Sequence, residues 1–221
     1  MLIRTPEPEL MDDPAQATAY AQADFAIPHE LCVDLFAQRF ADVPADALAV
    51  DLGCGPADVT LRFARRYPGM RFHGIDGAAA MLAEGEKRIT QAGMQQRIRL
   101  TQLQLPSAQL ANARYDIILS NSLLHHLHDP GVLWQAVKHC ARPGTIIYIM
   151  DLFRPDSITT AQSLVDTYAD GEPEILRRDF YQSLLAAFTP AEVQQQLAVA
   201  GISGLRIETV SDRHMIISGR R

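Results

Sequence analysis

Cysteine is scarce in this chain and spread thin: three in 221 residues, Cys32, Cys54 and Cys140, with no C-x-x-C spacing. An odd, scattered set argues against a disulfide framework and a cysteine-rich zinc site, and it suits a reducing compartment. Basic excess is absent too. Lys and Arg number 20 against 26 Asp and Glu, a formal net charge of -6. That is the wrong sign for a protein that lives on nucleic acid. No apolar run approaches the roughly 20 residues that span a bilayer. The opening "MLIRTPEPELMDDP" has none of the apolar core of a signal peptide, so a cytoplasmic location is expected.

What is present is ordinary for a soluble globular protein: 48% hydrophobic and 21% charged residues, enough for one domain with a sizeable core. Residues 1–14 read as an irregular, partly mobile arm, and 15–41 carry a helical pattern with Phe25, Leu31, Leu35 and Phe36 as candidate buried positions. From there, short apolar runs alternate with helical spacing. Strands are expected at 47–53, 71–76, 97–103, 115–121 and 144–151, with helices at 59–67, 78–92 and 130–141 between them. Such alternation predicts a parallel sheet covered on both faces. Residues 157–200 read as helical, with Thr189 and Glu192 spaced as a capping box. "LRIETV" and "HMIISGR" then alternate as an appended hairpin.

In an open parallel sheet, ligands bind beyond the carboxyl ends of the strands. Four unusual features fall at those ends. Asp51 and the turn of Gly53, Gly55 and Ala57 follow the first strand, and Asp76 follows the second. "SNSLLHHLHD" follows the fourth, and Asp151 ends the fifth. Small residues let a ligand approach the backbone, and the next helix offers its N–H groups. Asp76 sits where a carboxylate accepts hydrogen bonds from two ribose hydroxyls. A dinucleotide fingerprint wants glycine at the first, third and sixth positions, but the sixth here is Asp58. The small residues stand at the first, third and fifth positions instead, with an acid two places before the first.

"VDLGCGPAD" in this arrangement resembles the class I S-adenosylmethionine-dependent methyltransferases, whose first motif is D/E-x-G-x-G-x-G, with Ala57 in place of the third glycine. "LHHLHDP" is similar to the small-molecule group related to the ubiquinone and menaquinone C-methylases. The resemblance covers most of the chain, from about residue 47. It implies an α/β, Rossmann-like, seven-stranded, mostly parallel sheet with an antiparallel C-terminal hairpin and helices on both faces. It also implies one methyltransferase domain: a helical cap at 1–40, a cofactor core at 45–151, a cap insertion at 152–187, and a helix and hairpin at 188–221. The cofactor would be S-adenosylmethionine, held by Asp51, Gly53, Gly55, Asp76, Gly77, Met81, Gln102, Leu103 and Asn121. Gly53 and Asn121 would meet its methionine end. The acid that commonly follows strand three is missing, which leaves Gln102 or Gln104 for adenine.

Methyl transfer asks mainly for positioning, and for a base where the acceptor must lose a proton. His126 and His125 are the candidates. Being adjacent, only one of them is expected to face the cofactor. Asp151 could hold a polar substrate group, and Arg154 an acidic one if it is not spent in an ion pair. Tyr20, Asp24 and Phe25 lie on a helical stretch that could cover a substrate as a lid. No metal is expected, because the i, i+1, i+3 histidines of "HHLH" do not share one helix face and the family motif binds none. The expected acceptor is a small molecule. "SNSL" replaces the Asn-Pro-Pro-Tyr of amino-methylating nucleic-acid enzymes. An RNA or protein methyltransferase and a non-catalytic cofactor-binding regulator are the alternatives. A homodimer is left open.

Overall fold

The structure, a computed structural model, describes residues 2–112 and 114–221. Seven strands form one sheet: β1 (Leu48–Leu52), β2 (Arg71–Asp76), β3 (Ile98–Gln102), β4 (Tyr115–Asn121), β5 (Ala141–Leu152), β6 (Leu205–Thr209) and β7 (His214–Arg220). Their order is β3-β2-β1-β4-β5-β7-β6. The first five are parallel, β7 runs antiparallel to β5, and β6 pairs with β7 as the terminal hairpin. The expected sheet is the observed one. Strand order reverses between β1 and β4, and a crevice opens there beyond the carboxyl ends.

The apolar runs are continuous because both faces are buried. Val50 and Leu52 join one core with Ile118, Ile147 and Ile149, and that core lies under α5 (Gly131–Cys140) and α8 (Pro190–Ala200). Ala49, Ile117, Tyr148 and Met150 alternate onto the other face, under α2 (Ala26–Arg39) and α3 (Asp58–Arg66). α4 (Ala79–Gln91) adds Ile89 there.

The N-terminal reading needs two corrections. The helical stretch is two helices, α1 (Pro14–Gln22) and α2, because Ala23 turns extended and Asp24 Oδ1 accepts the Ala26 N–H at 2.9 Å. α2 is not part of a cap: Cys32, Val33 and Phe36 are buried in the main core, while Phe25, Leu31 and Leu35 are only half-buried. The supposed arm is a pinned strap. Thr5 N–H donates to the Leu185 carbonyl at 3.0 Å, and Arg4 donates to the carbonyls of Ala186, His125 and Leu127 at 2.6, 2.9 and 2.9 Å.

The long C-terminal helical run divides into α6 (Ile158–Tyr168), α7 (Glu174–Ala186) and α8. Gly171, at φ +79°, makes the first break. The capping box at Thr189 is closed in both directions, at 3.2 and 2.7 Å.

Candidate active site

The glycine turn is shaped by what surrounds it. Gly53, at φ +73°, and Cys54 donate their N–H groups to the Ile75 carbonyl at 2.8 and 3.0 Å, which folds the turn against β2. A Cβ on Gly53 would stand 2.8 Å from the Leu123 side chain, so a larger residue would push the loop after β4 away. Ala57, at φ +60°, holds a left-handed conformation at the start of α3, which is what the family's third glycine supplies without strain.

Asp76 ends β2 with both carboxylate oxygens engaged: Oδ2 accepts from Gly55 N–H and Oδ1 from Ala78 N–H, each at 2.8 Å. Burial raises its pKa, and those N–H groups oppose the rise. Asp51, 1% exposed, accepts the Thr60 hydroxyl at 2.5 Å. Burial pushes its carboxyl up to about 6.

These residues border a cleft that opens to solvent at its mouth. Asp51, Gly53, Gly55, Asp76, Gly77, Met81, Leu103, Asn121, His126, Tyr20 and Phe25 all line it. Gln102 does not: its amide turns to the Gly77 carbonyl at 3.3 Å, and Gln104 takes the place on the wall. β3 ends at Gln102, so the choice falls to the loop beyond the strand, whose residues Leu103 and Gln104 line the cleft.

Of the histidine pair, one lines the cleft. His126 lines it, while His125 is turned inward, 2% exposed, with Nδ1 at 2.6 Å from Asp151 Oδ1. Asp151 is 1% exposed, accepts the Leu124 N–H with its other oxygen at 2.8 Å, and is absent from the cleft wall. A direct hold on substrate is therefore not its place. Arg154 is likewise buried away from the cleft, donating to the carbonyls of Leu2 and Ala187 and to Glu192 Oε1 at 3.0, 2.7 and 2.6 Å. It ties the strap to the capping box of α8. Asp24 also misses the cleft, and its side chain accepts the Ala26 N–H at the start of α2.

Burial lowers the His126 pKa well below the ordinary imidazole value, helped by His125 beside it. Burial would lower His125 too, but Asp151 and Glu7 outweigh it and the value is raised.

Several wall residues had no signal in the sequence. Glu9, Leu10 and Met11 of the strap cross the cleft. His29 Nδ1 and Arg62 Nε reach Asp58 Oδ2 at 2.6 and 2.9 Å, and Arg88 Nη1 reaches its Oδ1 at 3.2 Å. Burial alone would raise the Asp58 pKa, but its hydrogen bonds to His29 and Arg62 hold it well below the usual range. Asp58 heads α3 with Arg62 one turn on, but its other partners, His29 and Arg88, come from α2 and α4, far off in sequence.

Comparison with known proteins gives the same family as the motifs. Residues 49–144 match the family described as "Methyltransferase domain". This core is a methyltransferase domain. A stretch of 112 residues, 49% of this chain and 41% of the relative, is 33% identical to the trans-aconitate 2-methyltransferase of Azoarcus sp. (strain BH72). Another of 104 residues, 47% and 37% of the two chains, is 35% identical to the enzyme of that name from Deinococcus radiodurans. The matches thus span about two fifths of those relatives. In fold, a crystal structure of an S-adenosylmethionine-dependent methyltransferase from Aquifex aeolicus superposes with a TM-score of 0.68 at 15% identity, over 94% of this chain and 97% of that one. Among the described residues, no helix is long and apolar enough to cross a membrane.

Proposed function

We propose that this chain is an S-adenosylmethionine-dependent methyltransferase that acts on a small molecule held beneath the N-terminal strap. The observation that carries the reading is the meeting of Gly53, Gly55, Asp76 and Asn121 on one cleft at the strand reversal, in the family's own pattern. The cofactor supplies a methyl on a sulfonium, so in-line placement of the acceptor provides most of the acceleration. The residues fit that ligand. Each Asp76 oxygen keeps a lone pair for a ribose hydroxyl beyond its N–H partner. Asp51, Asn121 and the glycine-turn backbone can meet a charged amino-acid end, and Met81 and Leu103 supply apolar walls for a base. His126, with its basicity lowered, is available as a neutral imidazole to hold or accept a proton from the acceptor.

The strap across the mouth favours a small acceptor over a macromolecule. The relatives' names speak of trans-aconitate, but Arg88, the arginine on this cleft wall, is engaged by Asp58. That argues against carrying a tricarboxylate over by name. A cytoplasmic location agrees with the sparse cysteines.

Titration calorimetry tests the cofactor assignment. S-adenosylmethionine and S-adenosylhomocysteine should bind with one-to-one stoichiometry, and NAD should not bind. Tighter binding of NAD would overturn the reading, and bound cofactor that no acceptor turns over would favour a regulator.

A further inference from the structure

Two buried side-chain atoms, Glu7 Oε1 and His126 Nδ1, have no hydrogen-bond partner. They lie 3.3 Å apart, and His125 Nε2 is 3.6 Å from the same Glu7 oxygen. Neither contact has the geometry of a hydrogen bond, although burying such groups without partners costs several kcal/mol. One ligand atom from each of the three residues lies within 4.8 Å of the other two.

We propose that Glu7, His125 and His126 form a binding site for a divalent transition-metal cation of zinc-like ligand preference, at the inner wall of the cleft. Bonds of about 2.0–2.2 Å to nitrogen and carboxylate oxygen put neighbouring ligand atoms roughly 3.3–3.6 Å apart in a tetrahedron. The two observed separations from Glu7 Oε1 match that edge. One cation would satisfy both orphaned atoms and His125 Nε2 together.

The surroundings are those of a ligated histidine. His125 uses its other nitrogen on Asp151 Oδ1 at 2.6 Å, and the Leu124 N–H fixes the second Asp151 oxygen at 2.8 Å. A carboxylate behind a metal-bound imidazole sets its tautomer and orientation in this way. Glu7 and Asp151 supply two negative charges for the cation. Arg4, the nearby positive group, is directed at the carbonyls of His125 and Leu127. The histidine spacing along the loop could not indicate the site, because the third ligand comes from the strap.

Three protein ligands leave an open position, as in catalytic rather than structural zinc sites. His126 lines the cleft, but Glu7 and His125 do not and the orphaned atoms are buried, so that position suits a small donor such as water. Cation binding does not rest on the methyltransferase reading.

The test uses the full chain, stripped with a chelator and titrated calorimetrically with zinc chloride. One equivalent should bind, with affinity reduced at least tenfold in Glu7→Ala and in His126→Ala, and unchanged in His128→Ala. Asp151→Asn should weaken binding about 10- to 100-fold, as loss of a carboxylate behind a metal-bound histidine does. No saturable binding, or binding indifferent to Glu7 and His126, overturns the proposal. Should these variants fail to fold, cobalt(II) added to the unaltered chain decides: intense visible bands of a low-coordinate site support it, and the pale spectrum of the aqua ion overturns it. Since neither readout involves cofactor or turnover, a failure here is separable from failure of the methyltransferase reading.

Discussion

The Asp76 carboxylate holds the Gly55 N–H at 2.8 Å, joining the end of β2 to the turn after β1. The residue proposed to bind ribose is thus also the clasp that shapes the glycine turn. Asp76→Ala should weaken S-adenosylhomocysteine binding by about 2–3 kcal/mol, combining lost charged hydrogen bonds with a loosened turn. Asp76→Asn retains one acceptor oxygen and should fall between. Calorimetry alongside circular dichroism checks both. Unchanged affinity in the alanine variant would remove Asp76 from the site.

Asp51 carries a stability prediction with a definite sign. Its carboxyl is raised from 3.8 to about 6 by burial, so the folded state binds the extra proton. The contribution is full below pH 3.8 and is lost as pH rises through 6. By linkage the loss amounts to about 3 kcal/mol. Asp51→Asn, which keeps an acceptor for Thr60, should be more stable than the parent at pH 7.5 and nearly equal to it at pH 4. Thermal melts at the two pH values give the comparison. A variant less stable at pH 7.5 would mean that the ionised carboxylate is well accommodated.

Much of this was legible in the sequence because it was local. The strands at 71–76 and 115–121 have the expected bounds, and the Thr189 capping box and the terminal hairpin follow from short-range spacing. The first motif located the cleft. What stayed hidden was non-local. The clusters Asp58–His29–Arg88 and Glu7–His125–His126 each assemble from elements far apart in the chain. Arg154 and Asp151 stood at the right rim, but both side chains are buried and bonded to partners behind the cleft wall. Proline-rich composition suggested a mobile arm, and the carbonyls of residues 185 and 186 that pin it carry no sequence signal.

The histidine pair should separate stability from turnover. His125→Ala removes one of the two partners of Asp151, a carboxylate 1% exposed, and breaking such a buried pair from one side typically costs about 3–5 kcal/mol. That variant should melt far lower. His126→Ala should fold with little loss and bind S-adenosylhomocysteine, yet turn over its acceptor at least tenfold more slowly. Melting curves and single-turnover rates, measured together, distinguish the two. Equal, small losses in both would assign the pair a packing role only.

Removal of residues 1–22 tests the strap as a cover. Beyond hydrogen bonds such as those of Arg4, Thr5 and the Leu2 carbonyl, its contacts are of two kinds. Met11, Ala17 and Tyr20 pack with Ala78 and Met81 in a small cluster separate from both sheet cores. Glu9, Leu10, Met11 and Tyr20 face the cleft, and the rings of Tyr20 and Phe25 stand 4.7 Å apart. α2, with Cys32, Val33 and Phe36, stays in place in the truncated chain. Losing the small cluster should cost about 2–3 kcal/mol of apolar burial. In a chain of this size that lowers Tm by roughly 5–10 °C. The truncated protein should therefore remain folded and bind S-adenosylhomocysteine, while turnover collapses because water and acceptor are no longer confined. Calorimetry, circular dichroism and an assay of methyl transfer read the three properties separately. Aggregation would place the strap in the folding core, and full turnover would show that it does not cover the reacting groups.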